Sequence, residues 1–177
     1  MPVALLVASY PRSGSHLLFF ILSHCLGVYI RNHKFHSYTR ASWKHKVSAY
    51  RTHQPCLLQD QQATAELLKL CGATHAIHLT REPKECIHSE LQREPTDAEI
   101  QHIVETDMKV REKNVKLAEN HITICYEEEL LKKGSLTRTL KKLSEFLGMP
   151  IINPADDEKD IRERAFGTLI RQPRTRK

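Results

Sequence analysis

Residues 3 to 22 constrain this chain more than any other stretch. Val3 to Ala8 is a short apolar run carrying β-branched residues, the pattern of a strand buried on both faces. Tyr10-Pro11-Arg12-Ser13-Gly14-Ser15 interrupts it with turn formers, and from Leu17 the apolar run resumes with helical character. Strand, tight polar loop and helix N-terminus form a geometry that collects anions. The free N–H groups of the first turn and the positive end of the helix dipole converge on one spot. Gly14 lets backbone approach an oxyanion closely, Ser13 and Ser15 bring hydroxyls, and Arg12 brings a fixed fork of donors. The loop Gly-x-x-x-x-Gly-Lys-Ser/Thr is not present, since Ser9 and Ser15 stand where its first Gly and its Lys belong. An ordinary βα turn whose serines cap the helix accounts for this stretch equally well when it is read alone.

The remaining strands and helices extend the pattern. The first helix spans Leu17 to Leu26 and ends near Gly27. Residues 31 to 46 form a polar, cationic and aromatic connection with His33, His36, Trp43 and His45, at spacings that match no metal ligand set. Val47 to Thr52 reads as a second strand, followed at once by His53, Gln54 and Pro55. A His just past the carboxyl end of a strand sits where ligands bind in open α/β sheets, and its ordinary pKa suits proton abstraction near neutrality. A satisfied or exposed imidazole is the plainer reading of the residue alone. Gln59 to Leu70 is an amphipathic helix closed by Gly72, and Ala73 to Thr80 is a third strand.

Directly after that strand comes Arg81-Glu82-Pro83-Lys84-Glu85, with Pro and acidic residues marking a helix start. Ser89 lies about two turns into this helix. The chain thus holds a second strand–cationic loop–helix unit, and two such units suit a ligand with two separated phosphates. Pro95 to Glu119 reads as one long or two shorter helices, His121 to Tyr126 as a fourth strand, and Leu136 to Leu147 as an amphipathic helix. A last helix is expected near Asp156 to Phe166, before a basic tail over residues 168–177 that frays. Together these spans predict an α/β, three-layer domain covering residues 1–177, with a central, mainly parallel sheet of about four to five strands flanked by helices.

Composition limits the function classes. The 177 residues, 40% apolar and 27% charged, suit one folded domain and neither a disordered nor a membrane protein. No basic segment precedes the first strand, so no signal peptide is expected. Five cysteines without CxxC spacing indicate reduced thiols and a cytoplasmic setting. The net charge of +6 favours an anionic ligand, whether nucleic acid or a phosphorylated small molecule. A distributed basic stripe, the mark of a nucleic-acid groove, is not evident.

Four segments in order carry a resemblance to a known family. Tyr10-Pro11-Arg12-Ser13-Gly14-Ser15-His16 resembles the 5′-phosphosulfate loop of sulfotransferases that use 3′-phosphoadenosine 5′-phosphosulfate (PAPS), typically Tyr-Pro-Lys-Ser-Gly-Thr-Thr. Arg51-Thr52-His53-Gln54-Pro55 is similar to the family's Lys-Thr-His-x-Pro, whose His is the catalytic base. Leu79 to Glu85 with Ser89 looks like its 3′-phosphate segment, and Tyr126-Glu127-Glu128 with the helix ending at Gly148 looks like its Tyr-Glu-Asp segment. The resemblance implies a P-loop-like sulfotransferase fold and in-line sulfuryl transfer from PAPS to a small-molecule or carbohydrate acceptor, leaving 3′-phosphoadenosine 5′-phosphate (PAP). It implies His53 as general base, with Arg12 and Arg51 assisting. It assigns donor binding to Arg12, Ser13, Gly14, Ser15, His16, Arg81, Ser89 and Tyr126, with no metal, nucleic acid or membrane involved.

The chain also departs from the family. Arg12 stands for the usual Lys, Leu17 stands where a Trp often faces adenine, and only Arg162, Arg164 and Gly167 offer a match to the C-terminal Arg-Lys-Gly segment. The alternatives are a PAP-binding relative without catalysis, a nucleotide kinase-like protein and a basic nucleic-acid-binding module.

Overall fold

The computed structural model describes residues 3–31, 47–52, 61–154 and 158–170. Five parallel strands form one open sheet in the order β2-β3-β1-β4-β5. They are β1 (Val3–Ser9), β2 (Tyr29–Arg31), β3 (Val47–Thr52), β4 (Ala73–Thr80) and β5 (Asn120–Cys125). The helices are α1 (Ser15–Leu26), α2 (Gln61–Cys71), α3 (Pro83–Leu91), α4 (Asp97–Ile103), α5 (Lys109–Val115), α6 (Leu136–Leu147) and α7 (Glu158–Ile170). Two π-helical turns, Val104–Met108 and Tyr126–Leu131, join α4 to α5 and follow β5.

Strand β1 lies at the centre, paired on one side with β3 and on the other with β4. Its side chains alternate between two cores, as the two-residue period of a strand requires. Leu5 and Val7 join Ile77, Leu79 and Ile124 beneath α1, α6 and α7. Ala4, Leu6 and Ala8 join Ala76 beneath α2 and α5 on the opposite face. The apolar run therefore has no polar side because neither face of β1 meets water. Three layers follow: helices, sheet, helices.

Local signals set the helix ends. Helix α1 closes at Gly27, where Gly27 N–H donates to Ser23 O (3.1 Å) and Val28 N–H to Leu22 O (2.9 Å). Helix α3 opens with Pro83 in its first turn and Glu85 behind it, as its sequence predicts. Helix α4 is fixed by a capping box in which Thr96 and Glu99 exchange bonds with each other's backbone N–H.

Several boundaries differ from the sequence expectation. Helix α1 begins at Ser15, so Ser15 and His16 belong to its first turn and not to the loop. The three-residue β2 is an added edge strand, too short to show a period. Tyr126 opens a π-helical turn and does not end β5. The 95–119 region is one continuous helical run from Asp97 to Val115, as one of the two expected arrangements has it, but with a π-helical turn at Val104–Met108 between α4 and α5. Helix α7 reaches Ile170, so the start of the expected frayed tail is helical.

Candidate anion-binding site

Parallel strands send all their carboxyl ends to one edge, and a ligand in an open α/β sheet binds there. Register puts the ends of three strands side by side: Ser9 of β1 pairs with Leu79 of β4, and Ala8 pairs with Thr52 of β3. The 10–14 loop leaves β1 at this edge, and Arg81 leaves β4 beside it.

The 10–14 loop is tightly wound. Arg12 (φ 65°) and Gly14 (φ 83°) both adopt left-handed backbone, which lets consecutive peptide groups face one way. Gly14 is required twice over, since a Cβ there would lie 2.0 Å from Cε2 of Tyr126. The Tyr126 ring thus closes one side of the loop. Arg12 carries its backbone strain without that excuse, and strained residues of this kind gather at ligand sites.

Ser13 is buried, and its hydroxyl donates to Tyr10 O at 2.7 Å. Its Oγ also lies 3.5 Å from Sγ of Cys86 on α3. With its proton given to Tyr10, Ser13 accepts from the thiol, which burial holds protonated by pushing its pKa up. The hydroxyl expected to face an anion is turned inward to brace the loop. Ser15 is buried at the start of α1, while His16 is exposed beside it.

Arg81 joins the two loops. Its Nη1 donates to the carbonyl oxygen of Arg12 at 2.8 Å, and its guanidinium lies 5.0 Å over the Tyr126 ring. It is ion-paired with Glu85 (3.6 Å) and Glu127 (3.8 Å), while Arg12 is ion-paired with Glu90 of α3 (3.2 Å). Glu127 Oε1 also accepts the backbone N–H of Glu82 at 3.2 Å, at the start of α3. A carboxylate oxygen therefore occupies the helix-start position that suits an anion. These pairs are partly or largely exposed, so each contributes about 0–1 kcal/mol and yields readily to a more highly charged oxyanion.

Ser89 is partly buried on α3, between Cys86, which contacts Ser13, and Glu90, which pairs with Arg12. Tyr126 is buried, and desolvation raises its phenol pKa. Arg51 is the β3 partner of Val7, and His53 lies outside the described residues. Arg162 is used elsewhere: it donates to Leu130 O and Lys132 O, both at 3.0 Å, and pairs with Glu158. Arg164 pairs with Asp160. Desolvation is the larger effect on the Tyr126 phenol, but Arg162 also lies close enough for its charge to act on it.

The sequence reading missed Arg111. This fully buried arginine of α5 holds both carboxylate oxygens of Asp107 and donates from Nη1 to Ser9 O at 3.3 Å. A charged residue amid charged neighbours reads as solvated; the only hint was its spacing of four from Asp107, on the side of Val104 and Val115. A cavity of about 30 Å³ lies between the loop and this pair, lined by Tyr10, Ser13, His78, Arg81, Met108 and Arg111 among others. His78 Nδ1 is buried there without a hydrogen-bond partner among the described residues, and burial lowers its pKa to about 4.

Among the described residues no helix is long and apolar enough to cross a membrane. No protein-family model matches the chain, and no curated protein matches it.

Proposed function

We propose that this protein is a cytoplasmic PAPS-dependent sulfotransferase with a P-loop-like sulfotransferase fold, moving a sulfuryl group to an acceptor hydroxyl or amine. One observation carries the reading: the Arg81 guanidinium donates to the backbone of Arg12, joining two cationic strand–loop–helix units at one sheet edge. A nucleotide bearing separate 5′ and 3′ anionic groups matches two such units better than a single phosphate does. The donor set fits phosphate: two arginines, two helix starts, and a Glu127 carboxylate already bonded at one of them.

In this reading Arg12 and the backbone N–H groups of the α1 first turn hold the 5′-phosphosulfate. Arg81 and Ser89 hold the 3′-phosphate, and Tyr126 fixes the nucleotide side of the loop. His53 takes the acceptor's proton as the new O–S or N–S bond forms and the bond from sulfur to the 5′-phosphate oxygen breaks. PAP leaves with the electron pair of that bond, and Arg12, assisted by Arg51, stabilises the charge that develops on it.

The test is PAP release from PAPS over a panel of phenol, alkylamine and saccharide acceptors. Turnover should appear with one class, and His53→Ala should lower it by about 10²–10⁴-fold while PAP affinity is kept. Arg81→Ala should instead weaken PAP binding. A His53→Ala protein with undiminished turnover contradicts the assignment of the base.

A further inference from the structure

We propose that the buried Arg111–Asp107 pair is a positioning device for the 5′ anion loop, a role that rests on the nucleotide reading above. Arg111 is 0% exposed and Asp107 only 6%, so both charges are removed from water. Such a pair is often no better for stability than apolar side chains of the same volume, because desolvation cancels much of the attraction. Its use here lies in where the third arm of the guanidinium goes.

That arm donates to the carbonyl of Ser9, the last residue of β1. The next residue, Tyr10, supplies the carbonyl that accepts both the N–H and the hydroxyl of Ser13. Asp107 therefore orients Arg111, Arg111 fixes the end of β1, and the end of β1 fixes the turn that presents the α1 start. A bidentate fork is needed, since one guanidinium must grip a carboxylate and a carbonyl together. The π-helical turn adds to the arrangement. Helix α4 buries none of its residues, whereas Asp107, Arg111, Asn114 and Val115 beyond it are all buried. π-Helical turns of this kind recur at functional sites.

The pair holds the end of β1 from the face opposite α1, across the small cavity from the 10–14 loop, so its hydrogen bond acts first on the 5′ group. The experiment replaces both members with apolar residues, Asp107→Leu with Arg111→Met, which removes the charges without leaving one unpaired. Thermal unfolding and calorimetric titration with PAP and with adenosine 3′-monophosphate are then compared with the unaltered protein. The expected result is a folded protein that binds PAP roughly ten- to a hundredfold more weakly and binds the 3′-monophosphate as before. Equal PAP affinity in the folded double variant overturns the proposal and leaves the pair a packing feature. Parallel loss for both nucleotides also overturns it.

Should the double variant unfold, Arg111→Lys serves, because it keeps the charge but cannot bridge Asp107 and Ser9 at once. A selective loss of PAP affinity supports the role, and unchanged affinity removes it. Failure of the unaltered protein to bind PAP is a different outcome: it removes the nucleotide reading, and this role with it.

Discussion

Gly14 is where a single atom decides the geometry of the site. Its φ of 83° is costly for any residue with a Cβ, and the space a Cβ would take is filled by the Tyr126 ring. Gly134 provides the control, with a φ of 79° and nothing within 4 Å of the same position. Ala at residue 134 should cost about 1–2 kcal/mol from backbone alone. Ala at residue 14 should cost clearly more and displace Tyr126, as read by denaturant unfolding of the two variants side by side. Equal losses would mean that the ring yields freely and does not hold the loop. At this scale much was legible in the sequence: a Gly between two serines after a buried strand already pointed to close backbone approach. The inward turn of Ser13 was not, because a hydroxyl's partner depends on residues such as Cys86, 73 positions away.

Among the elements, β4 carries the most chemistry for its length. Four consecutive residues from Ala76 to Leu79 are buried, and His78 is the polar exception. Its imidazole faces Glu112, Arg111 and Lys116, and desolvation outweighs the attraction of Glu112, taking its pKa from the ordinary 6.5 to about 4. The unfolded chain therefore binds a proton at pH values where the folded one does not. Stability from this group is complete above pH 6.5, falls as pH drops toward 4, and levels off below it. The loss amounts to about 3 kcal/mol at most.

His78→Leu should flatten the fall in unfolding free energy between pH 6.5 and pH 4.5, within the window set by the two pKa values. An unchanged slope would show that the imidazole is protonated in the fold. Strand β1 was legible as an apolar run ended by turn formers, whereas β3, β4 and β5 were legible as short mixed runs that carry apolar residues such as Val47, Ile77, Leu79, Ile122 and Ile124 between helical or polar stretches. Strand β2 was not, since three residues show no alternation. The π-helical turns were also hidden, because a single wider turn is too short to leave a period of its own in the sequence.

At the scale of the molecule, the parallel order β2-β3-β1-β4-β5 explains why segments far apart in sequence meet. Every strand delivers its carboxyl end to the same edge, so the loops after β1 and β4 become neighbours although 69 residues separate Arg12 from Arg81. That convergence followed from the sequence once parallel strands were inferred. The way the arginines are balanced did not follow. Arg12 and Arg81 each carry a carboxylate partner, Glu90 for Arg12 and Glu85 with Glu127 for Arg81. A binding anion must displace them, which favours a ligand with more charge than one monophosphate brings.

Calorimetric titration with PAP, beside 5′-AMP, ATP and a short DNA duplex, tests this most directly. The two-loop account predicts tight PAP binding, much weaker 5′-AMP binding, and no requirement for Mg²⁺. Equal binding of all four polyanions, fading together as salt rises, would contradict it and leave the two loops as basic surface.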